Sequence, residues 1–357
     1  MAYPPPTQRS ERNGTGSERK ATPQNILIVL KYLNAPITSC FKRVIQWLIQ
    51  KNGMTVFVEH EIISDGKLIS EDDFSSNCFP KLQSYSKEVD VDLIICIGGD
   101  GSLIYANSLF QAISPPIITF HLESPGFLTR YNINTIERSL SDVLAANVDI
   151  CLRTRLKCEI RGLNADGEDE VEFEYLVLNE VIFDRAQSSQ VTHMDIYCND
   201  TYMTTLVGDG LIISTPTGST AYSMAAGASL VHPSVPGIVL TPVCPHSLSF
   251  RPIVLPADVE LKIMIGHGSL NRRPICAFDG RNQKELDESR YLRVTTSEYS
   301  IPCISREDHL NDWFDSLAEC LHWNKRETLR ISNELKKSKS FELENGDAIQ
   351  PSKFNGT

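Results

Sequence analysis

A carboxylate set among glycines, Gly98-Gly99-Asp100-Gly101, is the first place in this chain where residue types suggest chemistry. Glycines let backbone N–H groups close on a phosphate, and a helix N-terminus adds a favourable dipole. A carboxylate in such a cradle repels phosphate, so Asp100 needs a reason of its own. Accepting the proton of a hydroxyl that attacks phosphate is one. A tight strand–helix turn capped by Asp100 accounts equally well for these four residues taken alone. A second place is Leu178-Asn179-Glu180-Val181, where an amide and a carboxylate interrupt the apolar run YLVLNEVIF. Successive strand residues face opposite sides, so an unbroken strand would bury one of the two, and a buried polar group needs partners. Those partners are either a structural pair near a strand end or the sugar hydroxyls or base of a ligand. The third is Gly208–Gly227, GDGLIISTPTGSTAYSMAAG, whose small hydroxyl-bearing residues allow close approach of a nucleotide or simply cap a helix. A fourth, CPHSLSFRPI, sets His246, Ser247 and Arg251 in a loop between strands.

The elements that must carry these residues follow from periodicity. Val91–Ile97 reads as a strand buried on both faces, and the SLIYANSLF run after the glycines reads as a helix. Asn25–Leu30, Met54–Val58 and Ile117–Phe120 are further buried strands, with helices expected over Ser39–Gln50 and Asn134–Asn147. This alternation across 24–150 predicts a parallel, doubly wound sheet, whose ligands sit at the carboxyl ends of the strands. Both GGDG and the following loop HLESPGFL lie at such ends. From 151 to 305 short strands follow one another, with Ser219–Leu230 the one helical stretch, which predicts a largely antiparallel β domain. An amphipathic helix over Asp308–His322, within a 306–331 segment, is expected to pack back on the core. Residues 1–23 and 332–357 are polar and poor in large apolar side chains, the composition of flexible tails.

Composition narrows the function classes. The 357 residues carry a net charge of −11, which argues against nucleic acid as a partner. No apolar run approaches membrane-span length, and the N-terminus lacks the apolar core of a signal peptide. The ten cysteines are scattered without a CxxC pair, which reads as reduced thiols of a cytoplasmic protein and as no metal site.

Taken together and in this order, the four stretches resemble the NAD kinase family, which phosphorylates the 2′-hydroxyl of the adenosine ribose of NAD to give NADP. The resemblance runs from about Asn25 to Asn324 and is densest over VLNEVIFDR, GDGLIISTPTGSTAYSMAAGAS, CPHSLSFRPIVLP, FDGR and DWFDSLAECLHWN, a density that points to the animal cytosolic branch. Neither a Walker A sequence nor the protein-kinase set is present. A lipid or sugar kinase sharing GGDG is disfavoured by the NE and TPTGSTAY stretches.

The resemblance implies Asp100 as general base and Gly98, Gly99 and Gly101 as phosphate cradle. It implies Asn179 and Glu180 as the dinucleotide-binding pair, Asp209, Thr220, Ala221 and Tyr222 around the adenosine, and His246 as a further nucleotide-binding candidate. It further implies an α/β domain joined to a β-sandwich-like domain, Mg2+ with ATP as donor, NAD as acceptor, and a homodimer or homotetramer. Two departures motivate an alternative, a non-catalytic nucleotide-binding regulatory homologue. HLESPGFL carries Glu123 where the family usually has glycine, adding negative charge beside a polyphosphate site, and Pro125, seldom found there. Ser102 replaces the commoner threonine. No arginine or lysine is assigned to the γ-phosphate from sequence.

Overall fold

The computed structural model describes residues 23–30, 35–64, 79–122, 124–164, 166–271, 273–305 and 309–323. The expected tails, apart from Pro23, lie outside the described residues, as do Glu123 and residues 306–308 and 324–331 of the C-terminal segment.

The N-terminal half begins with β1 (Asn25–Leu30), β2 (Thr55–Val58), β3 (Leu82–Ser84) and β4 (Leu93–Ile97), followed by β5 (Ile117–His121), β6 (Tyr131–Asn132) and β7 (Asp149–Arg153). Its helices are α1 (Ala35–Gln46), which runs into a π-helical turn, α2 (His60–Ser64), α3 (Asp100–Leu109) and α4 (Ile136–Leu144). The central strands are continuous apolar runs because helices cover both faces. Ile26, Ile28, Leu93 and Ile95 meet α1 and α4 on one side, while Leu27, Val29, Ile94 and Cys96 meet Leu103, Ile104 and Ala106 of α3 on the other. Strand order is β3-β2-β1-β4-β5, with β6 beside β5, and all these pairs are parallel. The order reverses between β1 and β4, so GGDG, at the carboxyl end of β4, lies at the topological switch point.

The second half is a sandwich. Its strands are β8 (Leu156–Leu163), β9 (Asp169–Val177), β10 (Glu180–Asp184), β11 (Thr192–Cys198), β12 (Thr201–Gly208) and β13 (Gly210–Ser214). They continue as β14 (Gly237–Val243), β15 (Ile253–Pro256), β16 (Leu261–Ile265), β17 (Ile275–Phe278), β18 (Arg281–Glu285) and β19 (Arg290–Thr296). They form two six-stranded antiparallel sheets, β12-β11-β16-β19-β8-β9 and β15-β14-β13-β10-β17-β18. Between the sheets lies a core that includes Leu156, Cys158, Phe183, Met194, Ile213 and Phe278. The expected fold class is therefore the observed one.

Three local readings change. The final strand, β20 (Ile301–Ser305), and β7 belong to the first sheet: β20 lies parallel to β5, and β7 antiparallel to β20. Apolar alternation does not reveal which sheet claims a strand. The expected strand Glu172–Arg185 is two strands, broken at Leu178-Asn179, where the chain passes from one sheet of the sandwich to the other. The helix expected over Ser219–Leu230 is a 3-10 turn, Thr217–Thr220, followed by one turn of α-helix, α5 (Tyr222–Ala225). It stops at Gly227, whose φ of +87° suits a helix C-terminus. Last comes α6 (His309–Cys320).

Candidate active site

Asp100 is the first residue of α3, and Gly99 caps that helix without a side-chain bond. The Asp100 carboxylate instead grips the loop after β5. Its Oδ2 accepts from Phe127 N–H at 2.9 Å, and its Oδ1 accepts from Leu128 N–H at 3.0 Å and Thr129 Oγ1 at 2.9 Å. Gly126 makes this approach possible, since a Cβ there would stand 2.1 Å from Asp100 Oδ1. Upstream, Gly98 takes φ +147°, open to glycine, and donates its N–H to Phe120 O, tying the end of β4 to β5. Gly99 is exposed and Gly101 half-buried in the first turn of α3, where backbone N–H groups lack helical acceptors.

The far side of the same loop is fastened to α6. Arg130, its side chain only 8 % exposed, donates to Ser316 Oγ at 2.8 Å and lies 3.6 Å from Asp315 and Glu319 and 3.9 Å from Asp312. The Cys320 thiol reaches Pro125 O at 3.6 Å. Pro125 is thus accommodated in a loop that holds Asp100 in place.

The second cluster forms where the strand breaks. Leaving the sheet at Leu178-Asn179 frees Asn179 and Glu180 from strict alternation. One buried side chain, Asp279, fixes this turn: its Oδ2 accepts from Leu178 N–H at 2.8 Å, and its Oδ1 from Asn179 N–H at 2.8 Å and Glu180 N–H at 3.2 Å. Burial pushes the Asp279 carboxyl up to about 6, against the pull of those N–H groups. Asn107, near the end of α3, donates to Asp279 Oδ2 and accepts from Arg155, itself fully buried. The helix that begins with Asp100 therefore ends in the network that holds Glu180.

Glu180 is only 7 % exposed, yet its Oε2 has no hydrogen-bond partner; neither does Asn179 Oδ1. Tyr222 N–H donates to the Glu180 carboxyl. Burial raises Glu180 to about 8, and the neighbouring Asp279 adds to the rise. The serine–threonine turn closes on this pair from outside. Thr215 N–H donates to Asn179 O at 2.9 Å, and Thr215 Oγ1 donates to Leu178 O at 2.6 Å. At Gly218 a Cβ would stand 2.2 Å from Asn179 O, so only glycine fits. Tyr222 is exposed, and its hydroxyl is raised by burial and then by the charges of Asp184, Cys244, Asp209 and Glu180. Asp209 pairs with Arg185 at 2.9 Å, and Thr220 and Ala221 lie half-buried on the turn.

The structure thus gathers Asn179, Glu180, Asp209, Thr220, Ala221 and Tyr222. Arg153 Nη1 connects the two clusters: it lies 3.4 Å from Thr217 Oγ1, and its charge stands in the field of Asp100. His246 is exposed on the loop after β14, where its backbone N–H donates to Val207 O, and no described contact brings its ring to the others. Sequence reasoning passed over Asp279, Asn107 and Arg155. For Asp279 a signal existed in FDGR, an aspartate closing an apolar strand, and the structure gives it φ +48°.

A switch-point glycine turn linked through Arg153 to a polar sheet-to-sheet break is the candidate site of this α/β–β-sandwich protein. Two family models match: ATP-NAD kinase N-terminal domain over residues 26–148, and ATP-NAD kinase C-terminal domain over residues 178–306. The chain belongs to the ATP-NAD kinase family. It is 38 % identical over 330 residues to putative NAD kinase 3 of rice, covering 90 % of this chain and 63 % of that protein. It is 33 % identical to an uncharacterized kinase of Schizosaccharomyces pombe, covering 84 % of this chain and 80 % of the other. The crystal structure of yeast NADH kinase complexed with NADH superposes with a TM-score of 0.78 at 27 % identity, over 87 % of this chain and 90 % of that one. The chain spans only 63 % and 59 % of the lengths of the two rice kinases it matches.

Proposed function

We propose that this protein transfers the γ-phosphoryl group of ATP to the 2′-hydroxyl of the adenosine ribose of NAD, giving NADP and ADP. The observation that carries the reading is the buried, unpartnered oxygen of Glu180 beside that of Asn179. Buried polar atoms without partners are costly, and a dinucleotide with hydroxyl and amide donors would complete them. The relatives' names and the NADH-bound yeast structure support the same class of substrate.

In this reading Asp100 receives the ribose proton. A carboxylate offers about four acceptor positions, and the loop occupies three, leaving one on Oδ2. The new bond joins the 2′-oxygen to phosphorus, the bond from phosphorus to the β-phosphate oxygen breaks, and the hydroxyl proton passes to Asp100. Glu180 and Asn179 hold the acceptor, and the small residues at 215–222 admit it closely. Among the described residues no three His, Cys, Asp or Glu side chains form a metal cage. The reading assigns Mg2+ to the triphosphate, which brings its own oxygen ligands.

Assignment to the animal cytosolic branch, a cytoplasmic location and a homodimer or homotetramer complete the proposal. No described helix is long and apolar enough to cross a membrane. Pro125 fits its loop without displacing Asp100, so it lends no support to a non-catalytic homologue. The test is to incubate purified protein with Mg-ATP and either NAD or NADH and to assay the phosphorylated dinucleotide. Product from one or both is expected, and its absence from both would overturn the reading.

A further inference from the structure

Two arginines flank the junction of β7 and β8 in the sequence Arg153-Thr154-Arg155, Arg153 ending β7 and Arg155 just preceding β8, and the protein satisfies them unequally. Arg155 donates to Tyr299 O, Asn107 Oδ1, Phe110 O and Ala112 O, four acceptors for one guanidinium. Arg153 makes only weak contacts, one of 3.4 Å to Thr217 Oγ1 and one to the Cys303 thiol. Its Nε is sequestered from solvent with no acceptor, and no carboxylate among the described residues forms an ion pair with it. The Cys303 thiol, a weak acceptor, lies beside it. A half-buried cation with only weak neutral partners is poorly compensated, and a guanidinium presents a flat fork of donors that suits an oxyanion.

The surroundings point the same way. Arg153 lines a cavity of about 30 Å³ with Phe127 and Leu128 of the Asp100 loop, Arg130, Trp313 and one carboxylate, Asp312, which lies 3.9 Å from Arg130. One water needs roughly 10–15 Å³ of such space, so the cavity admits a small anionic group and not a nucleoside. Arg130 already has Asp312, Asp315 and Glu319 around it, so the uncompensated charge is that of Arg153. Phe127 and Leu128, whose N–H groups hold Asp100, line the same cavity, and the Asp100 charge acts on Arg153, so the guanidinium lies on the side of the proposed base.

We propose that Arg153 binds the terminal phosphoryl oxygens of the nucleoside triphosphate donor, with its fork directed at the group being transferred. This rests on the phosphoryl-transfer reading above. During transfer the guanidinium neither gains nor loses a proton; it balances charge on the non-bridging phosphoryl oxygens while the proton goes to Asp100.

Calorimetry on the full chain tests this with ATP, ADP and NAD titrated separately into wild type, Arg153→Met and Arg153→Lys, with thermal melts as the folding control. Arg153→Met is expected to weaken ATP at least about tenfold, ADP less, and NAD by no more than about twofold, with Arg153→Lys recovering part of the loss. Should Arg153→Met fail to fold, Arg153→Lys and competition of inorganic triphosphate against ATP on wild type carry the test, with weakened ATP and effective competition expected. Unchanged ATP affinity, or equal loss for ATP and NAD, would overturn the assignment. Selective loss of NAD would overturn it too, transferring the arginine to the acceptor's pyrophosphate. If wild type makes no NADP yet loses ATP on Arg153→Met, the anion site stands and the kinase reading fails. If wild type makes NADP and both variants bind ATP normally, the kinase reading stands and the anion site fails.

Discussion

Asp100 takes three hydrogen bonds from the protein's own loop, whereas Glu180, more deeply buried, takes one from Tyr222 and keeps an oxygen without a partner. Both are carboxylates at breaks between regular elements. Asp100 is oriented before any ligand arrives, which is what a proton acceptor in a positioning-dominated reaction requires. Glu180 carries an unmet demand that favours whatever supplies the missing donor. One side of the site is preorganised and the other is completed by binding.

The strongest way to break this contrast is Asp100→Asn. Turnover is expected to fall by roughly 10²–10⁴-fold, the usual cost of losing a general base. The amide also sets an N–H against the Phe127 N–H, so a stability loss of about 1–3 kcal/mol should accompany it. Rapid-quench turnover with a thermal melt reads both, and normal turnover would remove Asp100 from the chemistry. Gly126→Ala attacks the same clasp while leaving the Asp100 carboxylate chemically intact. Its Cβ would displace the Asp100 carboxylate, and a shift of an ångström in a catalytic group costs about 10²-fold. A variant that is stable and fully active would show that the clasp does not set the base.

Glu180→Gln probes the unsatisfied side. Hydroxyl donors on the ligand favour the ionised carboxylate, while the free protein holds Glu180 near a value of about 8. NAD should therefore bind more tightly as pH rises through 8 in wild type and show no such gain in Glu180→Gln. Above that pH the variant should be about tenfold weaker, the loss of one charged hydrogen bond. Identical KM for NAD across the range in both proteins would take Glu180 out of the site.

The smallest effect concerns stability. A carboxyl raised on folding binds its proton more tightly folded than unfolded, so stability falls as pH climbs from the unfolded value to the folded one. For Glu180 that window runs from 4.5 to about 8, and Asp279 adds the same sign between 3.8 and about 6. Melting temperature should drop across this range, less steeply in Glu180→Gln. Equal slopes would mean that Glu180 does not titrate there.

Much of this architecture is legible in the amino-acid order alone. The runs NILIVL and LIICI announce strands covered on both faces, and GGDG falls at the end of one of them. Asn179 and Glu180 stand out as polar residues inside an apolar run. The reason both could be accommodated, a change of sheet at residue 178, leaves no periodic trace, because the end of β9 (YLV) and the start of β10 (VIF) are together as apolar as one long strand would be. Asp279 and Arg153 are hidden differently. Their importance lies in what they face across the fold, three N–H groups in one case and only weak neutral acceptors in the other. The α5 region misleads because Ala, Ser and Gly satisfy helical spacing without committing to it.

The place of β20 has a consequence for how the protein is made. Cys303 pairs with Ile117, and β20 separates β5 from β7 inside the first sheet. At ~5–20 residues per second of synthesis, on the order of ten to forty seconds pass between the appearance of these two positions. Throughout that interval β5 has on that side only the short pairing of Phe120 and His121 with β6, its Ile117 end lacks β20, and the loop that clasps Asp100 has no α6 to lean on. The first sheet is thus incomplete over most of elongation, and the chain acquires its whole site only when its closing strand and helix emerge.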